Sequence, residues 1–423
     1  MKTISSKTVF ALVWPLGALF SALKNWRQPW AMNVFWIVCA FLGSIQIFHP
    51  EGTILGEGAD SGRYVLDLMQ MHQTVNSYSE VSSTFYNGDT NDVYCPTIMF
   101  LVSRFTDNGH VLFFVFAIIY GFFYSRNIWY ILNRIKDQQA NWQWVMLASF
   151  FLVCPIWNVN GVRMWTALHV FVYGAMPYLL EKKKKQLLWS LLALFVHHSF
   201  IFPIILLVVF VLFLHRLCKY RASLNILFVF YVFSLTIKTL DLSALNTALQ
   251  MYLPNFYEER IDGYVNDVTL QNVMYAASKN SWHVAFFNNI HYWINQILIL
   301  LTFTIIKKKR NMLSSMFPLF AFSLLIYGCA NIMACVPSGA RYISIAQMFM
   351  VATFLLCYRE ILVDKVFSAF MPVIISMLAF SLIFEIRKGL DYYGFTILFG
   401  NILLSTIIET NVPLIDFIKN LLV

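Results

Sequence analysis

Apolar residues fall in about thirteen runs separated by short polar linkers. The runs cover approximately 8–23, 30–48, 109–132, 142–157, 162–180, 187–197, 199–214, 224–237, 289–306, 314–334, 340–358, 366–384 and 395–410. Most reach or approach the roughly 20 residues that carry a helix across a hydrocarbon core of about 30 Å. In that solvent each backbone N–H and C=O must be bonded within its own segment, so helices are expected. The pattern predicts an all-α polytopic integral membrane protein, a single transmembrane domain over 1–423 with about 12–13 membrane helices. Two longer polar stretches, 49–108 and 238–288, interrupt the runs. Within the first, 65–86 suits an amphipathic helix lying along the membrane surface. No internal repeat of fixed period is visible.

Composition narrows the class further. Charged residues make up 12% of the chain and hydrophobic residues 59%, against about 25% charged in an ordinary soluble domain. The formal charge of +9 is not a nucleic-acid footprint, because the basic residues cluster between apolar runs, as at 182–185, 216–221 and 307–310. No nucleic acid is expected as a partner; the lipid bilayer is. If the linkers at 24–29, 133–141, 181–186, 215–223, 307–313 and 359–365 are cytoplasmic, they and the C-terminus hold most of the 30 lysines and arginines. Most of the 21 acidic residues then fall on the other side. That asymmetry sets the orientation and makes 49–108 and 238–288 extracytoplasmic loops. One feature resists: the N-terminus, with Lys2 and Lys7, would lie outside, so the first run, read as a membrane helix rather than a cleaved signal, does not span simply. The 7 cysteines are scattered without a CxxC pair or His/Cys ligand spacing, so neither a disulfide framework nor a metal site is expected. No cofactor is implied.

The stretch from Lys185 to His215 carries basic clusters at both ends, which argues for two crossings. The part before His197 is only about eleven residues, or about 16 Å of helix, half the hydrocarbon thickness. A short hairpin turning at His197, His198 and Ser199 resolves this, with Pro203 on the return. Its polar tip then lies below the outer surface, where exposed backbone must line protein or a water-filled cavity. A sunken, outward-opening polar cavity follows.

Four places carry candidate chemistry. Arg163, in Asn158-Val159-Asn160-Gly161-Val162-Arg163, sits at the outer end of a span. Its guanidinium fork suits phosphate oxygens, although an arginine at a span end also snorkels cheaply. Arg341, in Pro337-Ser338-Gly339-Ala340-Arg341-Tyr342, repeats the arrangement, so two arginines at one depth would clamp a diphosphate. His197 and His198 at the hairpin tip offer a general base; a histidine on an apolar helix is otherwise a packing residue. Asp60, in Glu57-Gly58-Ala59-Asp60-Ser61-Gly62-Arg63-Tyr64, could orient a sugar hydroxyl or accept its proton, or else cap the following helix. The second loop holds Tyr252, Tyr257, Tyr264, Trp282 and His283, which suit carbohydrate or any ordered loop. No phosphate-cradling Gly-Lys-Ser loop, HExxH, GxSxG or dinucleotide fingerprint occurs.

At these residues the chain resembles the EpsG/Wzy group of bacterial polysaccharide polymerases, which make O-antigen and exopolysaccharide. Gly58-Ala59-Asp60 with Arg63-Tyr64 resembles the family's early G-x-D…Y element. Asn160-Gly161-Val162-Arg163 resembles its N-x-x-R-Q element, with Met164 where the family usually has Gln. Phe195-Val196-His197-His198-Ser199 resembles its F-x-H-x-S hairpin element. The likeness is strongest over about residues 50–215; beyond that it rests on hydropathy and Arg341-Tyr342. It implies a membrane glycosyltransferase joining undecaprenyl-diphosphate-linked oligosaccharide repeats at the outer face of the bacterial cytoplasmic (inner) membrane. By that likeness Arg163 and Arg341 bind diphosphate, His197 or Asp60 assists the acceptor hydroxyl, and Asn160, His198, Arg63 and Tyr64 contact substrate. A chain-length regulator and a flippase of the same pathway are the implied protein partners. Two other classes fit an outward cavity: a flippase or transporter of lipid-linked oligosaccharide, which would show repeated halves, and an acyltransferase modifying surface glycans with His197 as base.

Overall fold

The computed structural model describes residues 6–48, 60–86, 92–135, 143–214, 221–237, 282–309, 313–336, 338–401 and 412–422. Gly58, Ala59, Tyr252, Tyr257 and Tyr264 lie outside them. In chain order the helices are α1 (Ser6–Val13), α2 (Pro15–Lys24), α3 (Ala31–Ser44), α4 (Ser61–Thr74), α5 (Tyr78–Tyr86) and α6 (Tyr94–Ser103). There follow α7 (Gly109–Leu132), α8 (Gln143–Phe151), α9 (Val162–Glu181), α10 (Leu187–Val196), α11 (Ile201–Val209) and α12 (Arg221–Ser234). The chain closes with α13 (Trp282–Lys308), α14 (Phe317–Met333), α15 (Arg341–Val363), α16 (Lys365–Leu390) and α17 (Leu414–Leu422). No strand occurs among the described residues; one isolated bridge joins Gln46 to Tyr393. Six segments are long and apolar enough to cross a membrane, and shorter apolar helices such as Ala31–Ser44 and His198–Leu214 accompany them. The protein is an all-α, multi-pass membrane protein.

The first apolar run does not form one spanning helix. Trp14, next to Pro15, leaves the helical region (φ −141°, ψ 81°), as the residue before a proline is driven to do. Lys7 Nζ then comes within 5.5 Å of the centre of the Trp30 ring, beyond the far end of α2, so the run doubles back. Lys7 and Trp30, at its two ends, therefore share one end of the bundle; Lys2 lies outside the described residues. The linkers assigned to one side do meet. Arg134 pairs with Glu181 and Lys308 with Asp364, and Lys309 Nζ lies 2.6 Å from Glu360.

Small residues let the central helices approach. A Cβ on Gly43 of α3 would lie 2.4 Å from the Phe113 carbonyl oxygen of α7. One on Gly174 of α9 would lie 2.4 Å from the Ser190 backbone nitrogen of α10. The Ser190 hydroxyl donates to the Phe171 carbonyl at 2.9 Å, closing the α9–α10 contact.

The apolar segment Trp144–Glu181 has 38 residues, about 57 Å if it were one straight helix, far too long for one crossing. It breaks after α8, passes Pro155, and makes a 3-10 turn over Ile156–Gly161 before α9 begins. The carbonyls freed by the break find side-chain donors. The Tyr124 hydroxyl donates to Phe151 at 2.7 Å, and the Tyr120 hydroxyl to Pro155 at 2.7 Å. Nε2 of the fully buried His169 lies 3.1 Å from the Cys154 carbonyl. Orphan carbonyls in an apolar interior are thereby satisfied.

Two elements of the stretch 49–108 differ from the sequence pattern. Over 65–86 there are two helices, α4 and α5, with Glu80 Oε1 accepting from the Ser77 backbone at 3.0 Å in the turn between them. The apolar stretch 94–103 is itself a helix, α6, about 15 Å long. It packs against α4 and α7 and touches α10. The hairpin forms at the expected place, with α10 ending at Val196, an extended His197, a 3-10 turn over His198–Phe200, and α11.

Candidate functional site

Asp92 lies two residues before α6, and the Val93 N–H donates to the Phe195 carbonyl at 3.2 Å, tying the start of α6 to the hairpin. The Asp92 carboxylate is therefore held under the hairpin tip, and its side chain is only 3% exposed. Oδ1 accepts from the His198 backbone N–H at 2.8 Å and faces His198 Nδ1 at 3.0 Å. Oδ2 faces His197 Nδ1 at 3.0 Å and accepts from Arg163 Nη1 at 3.0 Å. Four donors saturate the lone-pair directions of a carboxylate, which is how the charge survives burial.

Arg163 reaches this point because the break before α9 sets it one residue past the helix start. Its Nε donates to the Tyr64 hydroxyl at 3.0 Å. The Tyr64 hydroxyl donates onward to Asp60 Oδ2 at 3.3 Å, and Arg63 Nη2 pairs with Asp60 Oδ1 at 2.8 Å. One chain of hydrogen bonds thus runs from Asp60 through Tyr64, Arg163 and Asp92 to both histidines, joining four segments distant in sequence.

The electrostatics follow from the packing. Burial works against the Asp92 charge, yet the hydrogen bonds from His197 and His198 hold its carboxyl well below the usual range. His197 is pushed below the ordinary imidazole value, chiefly by burial, although Asp92 pulls the other way. Burial raises the Tyr64 phenol, so it stays protonated as a donor. With Nδ1–H given to Asp92, neutral His197 keeps Nε2 as a base.

Asp92, His197 and His198 also place three potential ligand atoms within 4.8 Å of one another. A divalent ion there would have to displace the Arg163 guanidinium and turn both imidazole Nδ1 atoms from donors into ligands. The donor set fits a hydrogen-bonded carboxylate better than a metal centre.

The cluster forms one end of a cavity of about 470 Å³ lying between α4, α5 and α6. Arg63, Tyr64, Asp92, Arg163 and His198 line that end. Arg163 and His198 remain accessible, with side chains 34% and 46% exposed.

Six of the residues singled out in sequence meet here: Asp60, Arg63, Tyr64, Arg163, His197 and His198. Asp60 stands at the N-cap position of α4 without making a cap bond, its side chain committed to Arg63 and Tyr64. It does not touch the histidines, so Asp92 takes the carboxylate place beside the base. Asn160 is not in the cluster: it is buried in the 3-10 turn with its side chain on Tyr392, and among the described residues no partner meets its Oδ1. Nor is Arg341, exposed at the start of α15. Among the described residues its side chain makes no hydrogen bond or ion pair with the cluster. Its neighbour Tyr342 reaches the hairpin, donating to the Ser199 carbonyl at 3.0 Å and packing on Phe202. Met164 is buried, with the Ser199 hydroxyl 3.9 Å from its sulfur.

Asp92 escaped the sequence reading because it is one acid among several in a polar stretch. The signal that marks it is the apolar run 94–103 that follows, which reads as a helix start close to the bundle.

No curated protein and no solved structure matches the chain. The EpsG family model matches residues 70–411, which take in Asp92, Arg163, His197 and His198 and leave Asp60, Arg63 and Tyr64 just upstream. That match covers most of a multi-pass helical membrane protein in which Asp92, Arg163 and His198 line one cavity, and the chain belongs to the EpsG family.

Proposed function

We propose that this EpsG-family chain is a glycosyltransferase that polymerises undecaprenyl-diphosphate-linked oligosaccharide repeats of a surface polysaccharide. It works at the outer face of the bacterial cytoplasmic membrane, beside a flippase and a chain-length regulator of the same pathway. Family membership points to a membrane polysaccharide-polymerase-like activity. The observation that carries the finer reading is the Asp92–His197 pair set 3.0 Å from each other with Arg163 on the same carboxylate.

The acceptor sugar hydroxyl gives its proton to His197 Nε2 as its oxygen attacks the anomeric carbon of the donor. The glycosidic C–O bond forms, the C–O bond to the diphosphate breaks, and the lipid diphosphate leaves with the electron pair. Asp92 holds the His197 ring through Nδ1–H and steadies the imidazolium, and a general base so held contributes typically about 10²–10⁴-fold. Arg163 uses two of its N–H groups on Tyr64 and Asp92, which leaves about three of five for phosphate oxygens. A fixed cation aimed at the leaving group stabilises charge as it develops.

The test is a gel of surface glycans from a deletion strain complemented with wild type or Arg163→Ala. A polymer ladder with wild type that collapses to single repeats with Arg163→Ala supports the reading. An intact ladder with Arg163→Ala sinks it.

A further inference from the structure

The cavity continues well past the reacting cluster. Arg63, Asp67, Gln70 and Thr74 of α4 all line it. Their spacing of four, three and four residues places them on one helix face, a stripe about 16 Å long. The neighbouring face of the same helix buries Tyr64 and Leu68 in the core. Glu80 and Thr84, one turn apart on α5, line the cavity as well, and Cys95 and Met99 of α6 form its apolar floor. The helices are pinned there: Arg104 Nη2 donates to the Met71 carbonyl at 3.0 Å, and the Tyr78 and Thr97 hydroxyls meet at 3.0 Å. A surface helix ordinarily turns its polar face to bulk water. This one turns amide, hydroxyl and carboxylate groups into a cavity that ends at Arg163 and His198.

We infer that the α4 stripe, with Glu80 and Thr84 of α5, is the track along which the acceptor oligosaccharide lies, and that it takes neutral or amino-bearing sugars rather than uronic acids. The inference rests on the polymerase reading and adds the acceptor's place and charge class. Sugar hydroxyls both donate and accept, so the Gln70 amide meets them from either side, while Thr74 and Thr84, whose hydroxyl protons go to the Gln70 and Val81 carbonyls, accept from them, as do the carboxylates of Asp67 and Glu80. The cavity's basic groups, Arg63, Arg163 and His198, lie at the Asp92 end. Farther along, the charged lining is Asp67 and Glu80. A uronate there would face like charge at the half-buried Asp67 and the exposed Glu80, which disfavours it against a neutral or amino-bearing sugar. The arrangement also sorts the two substrates, with the diphosphate drawn to the cationic end and the glycan laid toward the acidic one.

The full chain in its deletion strain tests this with Gln70→Trp and Thr74→Trp, which fill the track. Met69→Trp and Gln73→Trp, at exposed residues of the same helix that do not line the cavity, serve as controls. Membrane levels are read through a tag. The expected result is a loss of polymer beyond two repeats of at least about tenfold for the cavity-facing pair, which is about 1.4 kcal/mol, with the controls near wild type. A wild-type ladder for both cavity-facing variants overturns the track, and so does an equal loss in all four. If a tryptophan variant does not accumulate, the double variant Gln70→Ala/Thr74→Ala carries the same expectation and is overturned by the same wild-type ladder. Arg163→Ala separates the two claims: a ladder that survives it sinks the polymerase reading, while a ladder lost to it but indifferent to the stripe sinks the track alone. Sugar analysis of the purified polymer closes the charge question. A uronic acid at the residue bearing the acceptor hydroxyl overturns the charge class.

Discussion

Asp92 is buried among an arginine and two histidines, and every donor it faces comes from a different turn or helix than its own. Asp92→Asn keeps the shape and replaces one acceptor oxygen with a donor, which then opposes Arg163 or an imidazole N–H. Polymer formation should fall by about 10²–10⁴-fold, with protein level nearer wild type than for Asp92→Ala. The alanine variant leaves Arg163 and both imidazoles without their shared acceptor and lowers the protein level further. A polymer assay beside a membrane-level blot separates the two. The pH dependence has a definite sign. Burial lowers the His197 value, so the neutral base is lost only as pH falls through a point below the ordinary value of about 6.5. Polymerisation by purified protein should therefore hold from neutral pH down past 6.5 before dropping; a midpoint above 6.5 would rule out His197 as the buried base. At this scale the sequence was informative for residues announced by an unusual place. Arg163 stands in an apolar run, and the histidines stand at a reversal point. Asp92 carries no such mark, since its meaning comes from contacts across 71 and 105 positions. Arg341 shows the converse, a conspicuous position whose side chain makes no bond to the cluster among the described residues.

Elements were legible where length set a physical limit. Ten residues of α10 cannot cross a bilayer, so the reversal at His197 followed from arithmetic. The split of α1 from α2 and the break before α9 depend instead on which neighbours accept the bent backbone, and sequence spacing does not give that. Tyr120, Tyr124 and His169 stabilise the second break by meeting the carbonyls of Phe151, Cys154 and Pro155. Removing a hydroxyl from such a bond leaves a buried acceptor unmet, at a cost of about 1–3 kcal/mol. Tyr124→Phe, which leaves the Phe151 carbonyl without its donor, should thus lower the thermal midpoint of the detergent-solubilised protein. Tyr231→Phe is the contrast, because the Tyr231 hydroxyl is buried with no hydrogen-bond partner among the described residues. It should leave the midpoint unchanged or raise it. Equal losses in the two variants would mean that the break does not depend on its side-chain caps.

For the whole molecule, the distribution of lysine and arginine sorted the linkers into two sets, and the ion pairs among them lie within the sets. Arg134 with Glu181, and Lys309 with Glu360, each join two linkers assigned to the same side. The same logic left the N-terminus misplaced, because a single helix over 8–23 would carry Lys7 to the opposite side. With the run doubled back at Trp14, Lys7 returns to Trp30, and the expected orientation then puts Lys7 on the side of the basic linkers. Single cysteines at Lys7, Lys184 and Gln70, placed in a cysteine-free background and probed with a membrane-impermeant thiol reagent on intact cells, test this directly. Gln70 stands on the cavity side and should react from outside. Lys7 and Lys184 should react only after the membrane is permeabilised, which places both ends of the first run with the basic linkers. Labelling of Lys7 together with Gln70 on intact cells would return the first run to a full crossing, and the hairpin at Trp14 would then have no topological consequence.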